Sequence, residues 1–187
     1  MRKLVLYTLA SLDGDVDDPT AYFTGSQPGA APEFDEAMIE NERRVIETQD
    51  AVLLGRGMYD EWSRFWPTVE NHPFAEFING VRQYVVTSTP LSGGWNNAEA
   101  VGGPIEDLVR DLKARPGGDI GVHGSIQLAQ SLLAAGLVDE LEVVVGPSFG
   151  FPGRRLFPDV EAPRQLHLLS ATPTPSGSLL LRYRASA

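Results

Sequence analysis

Leu4 to Leu9 is an apolar, β-prone run bounded by Ser11-Leu12-Asp13-Gly14, and it predicts a buried first strand. Between Glu33 and Thr48, Phe34, Ala37, Met38, Val45 and Ile46 form one apolar helix face. Pro32 precedes that segment, acids fill its first turn, and Arg43 and Arg44 lie toward its end, as helix polarity favours. The run 51–54 (AVLL) predicts a second strand ending at Gly55-Arg56-Gly57, with a second helix from about Met58 through Trp62. Asn71 to Gly80 reads as a loop and a short helix. A strand over 83–86 then opens into Thr87-Ser88-Thr89, and Ala98 to Val101 predicts another short strand. Ile105 to Arg115 predicts an amphipathic helix.

The segment from Asp119 to Pro158 is the most sharply patterned. Ile120 and Val122 predict a short strand that stops at His123-Gly124, and Ser125 reads as an N-cap whose hydroxyl takes an orphan N–H of the next helix. Ile126, Ala129, Leu132 and Leu133 recur at helical spacing, and Gly136 follows as a C′ residue. Leu141, Val143 and Val145 alternate with Val144 also apolar, which predicts a strand covered on both faces. Strand, helix, strand is a βαβ unit, with parallel strands and a right-handed crossover. After a Gly/Pro-rich loop from Gly146 to Pro158, Gln165 to Ala171 and Ser178 to Arg184 predict an antiparallel hairpin on the sheet edge. The fold class is therefore α/β: a mixed, mainly parallel sheet flanked by helices, in one domain spanning 1–187. Asp15 to Pro32 is long for a connection and reads either as a functional lid or as a surface excursion. Tyr22 and Phe23 tilt it toward a lid.

Composition narrows the function classes. The 187 residues, 42% hydrophobic, are enough for a substantial core. A net charge of −10 argues against a nucleic-acid partner, which needs a basic face. An anionic ligand must then be held by local arginines and backbone amides. With no cysteine, disulfides, thiol nucleophiles and Cys-zinc sites are excluded, and a cytoplasmic enzyme is compatible with that. His72, His123 and His167 show no metal-ligand spacing, so no metal is expected. The start, MRKLVLYTLASL, has the outline of a short signal peptide, but it runs into Asp13-Gly14 without a cleavage site, and a strand is the better reading. No stretch approaches transmembrane length.

Three predicted strand ends carry chemistry: Gly55-Arg56-Gly57, Thr87-Ser88-Thr89 and Gly124-Ser125, with Leu9-Ala10 as a fourth contribution. Open α/β sheets bind ligands beyond the carboxyl ends of their strands, where helix N-termini favour anions. Each feature also has a plainer reading. Gly124 permits a tight turn, Arg56 caps a loop, and the hydroxyls serve a turn before Pro90. Together they suit a phosphorylated nucleotide, Arg56 holding a phosphate with its planar fork. Neither GxGxxG nor GxxxxGK[ST] is present.

The motifs MRKLVLYTLASLDGDV, AVLLGRGMYDEW, RQYVVTSTP and IGVHGSIQLAQSLLAAGLVDELEVVVGPSFGFPGRRLF occur in an order that resembles the dihydrofolate reductase-like superfamily. The nearest resemblance is to the C-terminal reductase domain of the bifunctional riboflavin-biosynthesis deaminase–reductase and its stand-alone relatives. It implies NADPH-dependent reduction of a small molecule, commonly in a homodimer. Leu9 and Ala10 would face the nicotinamide carboxamide, and Gly55, Arg56, Gly57 and Met58 the pyrophosphate and adenosine phosphate. Thr87, Ser88 and Thr89 would hold the adenosine ribose and its phosphate, and Gly124, Ser125, Ile126 and Gln127 the pyrophosphate. Asp13 and Gly14, with Trp62, Phe65, Gly150 and Phe151, would lie toward the substrate, Asp13 as a possible proton donor.

This chain departs from the family pattern in having Met58 where Thr is common and Gly124-Ser125 where many relatives have Gly-Gly. Glu33, Asp35, Glu36 and Glu40 are all near the place where dihydrofolate reductases carry a pterin-binding carboxylate, and the sequence does not choose among them. The deaminase signature is absent. The resulting expectation is an NADPH-dependent reductase of a small heterocycle, resembling 5-amino-6-(5-phosphoribosylamino)uracil reductase or dihydrofolate reductase. The alternative is a nucleotide-binding or regulatory protein of the same fold without turnover.

Overall fold

The computed structural model describes residues 1–23, 31–92, 94–95, 97–157 and 163–185. Residues 24–30 of the expected lid and Pro158 lie outside that set. In chain order the elements are β1 (Leu4–Ala10), α1 (Glu36–Glu47), β2 (Gln49–Gly55), α2 (Arg56–Phe65), α3 (Pro73–Gly80), β3 (Arg82–Val86) and β4 (Ala98–Val101). They continue with α4 (Ile105–Ala114), β5 (Asp119–His123), α5 (Ile126–Ala134), β6 (Glu140–Val145), β7 (Leu166–Pro173) and β8 (Leu179–Ala185).

The strands form one sheet in the order β4-β3-β2-β5-β1-β6-β8-β7. The first six are parallel, and β8 and β7 close the edge as the antiparallel hairpin expected from the alternation. In the expected βαβ unit, β5 and β6 are parallel but not adjacent: β1 lies between them and pairs with both, Tyr7 opposite His123 and Glu142. Among the described residues, no helix is long and apolar enough to cross a membrane.

Alternation along the central strands loads two cores. Leu4, Leu6, Leu53, Ile120, Val122 and Leu141 pack on one face with α4 and α5 through Val109, Leu112, Leu128 and Leu132. On the other face Val52 and Leu54 meet Phe74, Ala75 and Ile78 of α3, while Val5, Tyr7 and Val144 meet Met38 and Val45 of α1. Tyr22 and Phe23 belong to this second layer, so the described start of the expected lid is anchored in the core.

Helix α1 begins later than the apolar pattern suggested because Asp35 caps it. The carboxylate accepts the Met38 N–H at 2.9 Å and, from the β7–β8 turn, the Ser176 N–H at 3.0 Å. These bonds outweigh partial burial and hold the Asp35 carboxyl down at about 2. Asp35, one of the four acids the sequence left open, is thus a capping residue that also fastens the hairpin.

The core-facing side of α1 also carries Glu42, which the apolar pattern passes over. It is only 5% exposed, and among the described residues its Oε2 has no hydrogen-bond partner. Burial pushes its carboxyl up to about 7.

These two acids make opposite contributions to pH dependence. Asp35 stabilises the fold above its ordinary pKa of 3.8, and that contribution fades as pH falls through about 2. Asp35→Ala should lose about 1–2 kcal/mol at neutral pH, whereas Asp35→Asn should keep the cap, as Asn caps equally well. Glu42 contributes fully below 4.5, and this stability is lost as pH rises through about 7. In urea denaturation at pH 8, Glu42→Gln should therefore be more stable than the parent, by up to about 3 kcal/mol at about 1.4 kcal/mol per pKa unit. A variant no more stable than the parent at pH 8 would refute a Glu42 carboxyl whose ionisation is penalised by burial.

Candidate active site

Because β3, β2, β5, β1 and β6 run parallel and in that order, their carboxyl ends line up along one edge. The edge carries, in the same order, Thr87-Ser88-Thr89, Gly55-Arg56-Gly57, Gly124-Ser125, Leu9-Ala10 and the loop that starts at Gly146. The strand ends singled out in the sequence are therefore brought together.

The junction of β2 and β5 is built differently from expectation. Ser125 does not cap α5; its Oγ accepts the Gly55 N–H at 2.8 Å. The β2–β5 ladder ends at Leu53 and Val122, so beyond it the hydroxyl gives Gly55 the acceptor a strand carbonyl would have supplied. This leaves α5 without a side-chain cap, and α2 has none because Gly55 occupies its cap position. Their first-turn N–H groups, including those of Gly57, Met58, Ile126 and Gln127, are donors without intrahelical partners. Gly124 is required here: its φ is +66°, and a Cβ would come within 2.6 Å of the Trp62 ring and 3.1 Å of Met58. Gly57 has open space around it instead.

Arg56 bridges to the next loop. Its Nε donates to both carboxylate oxygens of Asp60 at 2.9 Å, and its Nη1 to Thr89 Oγ1 at 2.7 Å and the Pro90 carbonyl at 3.0 Å. The free fork expected of Arg56 is therefore partly occupied. Thr87 and Thr89 hydroxyls are 3.2 Å apart, and Ser88 is exposed beside them. Asp60 was missed in the sequence, although its i+4 spacing from Arg56 was a readable signal.

Two loops interlock beyond β1 and β6. Gly146 N–H donates to the Ala10 carbonyl at 2.8 Å, Leu12 N–H to Ser148 at 2.7 Å, and Val16 N–H to Arg154 at 2.9 Å. Tyr22 donates its hydroxyl to buried Asp15, and Ser148 Oγ donates to the Tyr22 carbonyl at 3.0 Å. Asp13 sits in this lacing. The Ser11 hydroxyl at 2.6 Å and the Gly150 N–H at 3.1 Å hold its carboxyl below the ordinary 3.8, against slight desolvation. At neutral pH it is an ionised acceptor of these two bonds.

The expected substrate-side aromatics are half-buried and pack against core aromatics. Phe151 packs edge-on against Tyr22 at 5.0 Å, Trp62 against Trp66 and Phe74, and Phe65 against Trp66. Gly150, at φ +97°, makes the turn that lets its N–H reach Asp13. Among the described residues, the large apolar side chains left outward on these loops are Phe149, 78% exposed, Leu12, 64% exposed, and Phe157, 57% exposed.

His123 is buried, with Nε2 2.8 Å from Gln49 Oε1, and desolvation lowers its pKa to about 3, so it is a neutral core residue. His72 caps α3, its Nδ1 accepting the Phe74 N–H at 3.2 Å. An open depression of about 920 Å³ along the α1–α3 seam is lined by Glu40, Arg43, Arg44, Glu47, Glu76 and Phe77, among others. None of the edge residues lines it, and its charges are of both signs, so the edge is the better site.

Ser125→Ala should remove the acceptor of the Gly55 N–H and lower stability by about 1–3 kcal/mol. Gly124→Ala should lose at least as much, since a left-handed alanine adds about 1–2 kcal/mol to the steric overlap with Trp62. Chemical denaturation of both variants measures this. An unchanged midpoint for Ser125→Ala would show that the hydroxyl does not hold the junction.

A profile of the RibD C-terminal domain matches residues 2–180. No curated protein sequence matches the chain. A putative riboflavin biosynthesis protein from Shewanella sp. PV-4 superposes with a TM-score of 0.74 at 16% identity, over 99% of each chain. A pyrimidine reductase-like protein from Corynebacterium diphtheriae gives 0.68 at 14% identity, over 100% of this chain and 92% of its own. Dihydrofolate reductase from Enterococcus faecalis, complexed with NADP(H), gives 0.64 at 13% identity, over 99% and 97%. These likenesses establish a dihydrofolate reductase-like fold. With the profile matched across nearly its whole length, the chain belongs to the RibD C-terminal domain family.

Proposed function

We propose that this protein is an NADPH-dependent reductase of a small heterocyclic substrate, of the type of 5-amino-6-(5-phosphoribosylamino)uracil reductase. The observation that carries this reading is the Gly55–Ser125 bond, which diverts the Ser125 hydroxyl from α5 and leaves that N-terminus without a side-chain cap, beside the N-terminus of α2, where Gly55 has no side chain to cap with, and next to Arg56. Family membership and the NADP(H) complex of the Enterococcus faecalis neighbour support the same ligand class.

Magnitudes limit what the turns do alone. An exposed helix N-terminus contributes about 0.3–1 kcal/mol per charge, whereas micromolar affinity needs roughly 8 kcal/mol. The remainder must come from Arg56, from the Thr87, Ser88 and Thr89 hydroxyls, and from apolar contact. In this reading Gly57, Met58, Ile126 and Gln127 offer backbone N–H groups to the pyrophosphate. Thr87 to Thr89 and Arg56 take the adenosine ribose and its phosphate, and Leu9 and Ala10 flank the nicotinamide. The cofactor, when bound, supplies a hydride to an electrophilic C=N or C=O carbon. Asp13 keeps the two interlocked loops in register, and the proton comes from water.

A thermal-shift series with NADPH and NADH tests the reading. Ligand at about 100 times its Kd should add about 2.7 kcal/mol of stability, and Arg56→Ala should reduce the shift. If neither nucleotide raises the melting temperature, the reductase reading fails. Binding without turnover on pyrimidine, pterin and quinonoid substrates would favour a regulatory protein of this fold.

A further inference from the structure

Arg56 and Asp60 stand one turn apart on α2, and their geometry exceeds that of an ordinary surface pair. A guanidinium has five N–H donors. The one on Nε is shared between both Asp60 oxygens at 2.9 Å, and Nη1 is fastened to Thr89 Oγ1 and the Pro90 carbonyl across the edge. Among the described residues nothing takes the Nη2 hydrogens. An arriving anion therefore meets a single nitrogen of a cation that a carboxylate already neutralises. Both side chains remain reachable, 29% and 36% exposed.

We infer that Asp60 is a specificity-determining residue of this edge: by holding and partly neutralising Arg56, it reduces the preference for a nucleotide bearing a 2′-phosphate over one without it. The inference rests on the nucleotide-binding reading above and goes beyond it in naming the group that tunes cofactor choice. Specificity is a difference of affinities, and a like charge beside the receiving cation subtracts from the affinity of the more highly charged ligand. Asp60 penalises a 2′-phosphate directly, whereas a ligand without one leaves the Arg56–Asp60 pair intact. A site built for maximal phosphate discrimination would present Arg56 as an unencumbered fork.

Isothermal titration of the full chain with 2′,5′-ADP and 5′-AMP as probes tests this, using the parent and Asp60→Asn. The amide keeps an acceptor for the Arg56 Nε and removes the charge. Asp60→Asn should bind 2′,5′-ADP about five- to tenfold more tightly, with 5′-AMP changed by less than about twofold, and the gain should shrink as salt is raised. Equal changes for the two probes, no change, or weaker 2′,5′-ADP binding would each overturn the role assigned to Asp60 while leaving nucleotide binding in place. Failure of both probes to bind even the parent would remove the nucleotide reading itself, and this inference with it.

Discussion

The placement of β1 between β5 and β6 governs the rest of the molecule. Its backbone is paired on both sides, with Ile120 to His123 on one flank and Glu140 to Val145 on the other. Its side chains alternate into both cores, Leu4 and Leu6 to one face and Val5 and Tyr7 to the other. With β1 in the middle, α5 must cross over it to reach β6. The loop leaving β1 also emerges beside the loop leaving β6, and the bond from Gly146 N–H to the Ala10 carbonyl seals that adjacency. The carboxyl edge is a consequence of this arrangement: its residues meet because the strands that carry them are neighbours.

Much of this was legible in the sequence because periodicity reports which way side chains face. Strands and helices came out close to their observed bounds, as did the terminal hairpin, whose alternation at Leu179, Leu181 and Tyr183 is plain. Strand order was not legible, since nothing local to β5 or β6 says that a strand from the start of the chain lies between them. Glu42 escaped for a similar reason: an acid on an apolar helix face reads as an interruption, and its burial is decided by tertiary packing. Ser125 was misread because a hydroxyl after glycine and before an apolar helix fits an N-cap. The competing donor, Gly55 N–H, lies 70 residues away in the chain.

At the carboxyl edge, the sequence located the turns that the sheet brings together but not the directions of their side chains. Gly55, Arg56, Thr87 to Thr89 and Gly124 lie where strand ends should put them. Asp13 could be named from its position, yet only the Ser11 hydroxyl and the Gly150 N–H show it to be an acceptor. Phe149 and Phe151 are two residues apart in a loop with no helical or strand period, so nothing indicated which would pack against the core. The packing of Phe151 on Tyr22 decides that.

The long span closed by β1 also bears on how the chain reaches its fold. Lys3 and Asp119 touch across 116 residues, and β1 finds neither neighbour until the second half of the chain has been made. Synthesis from the N-terminus presents this apolar strand well before its partners, and contacts of such separation are slow to form. Until they form, both unpaired edges of β1 are templates for pairing with another chain. The edge that gathers the candidate site is thus completed late in folding, when the first strand made finally enters the middle of the sheet.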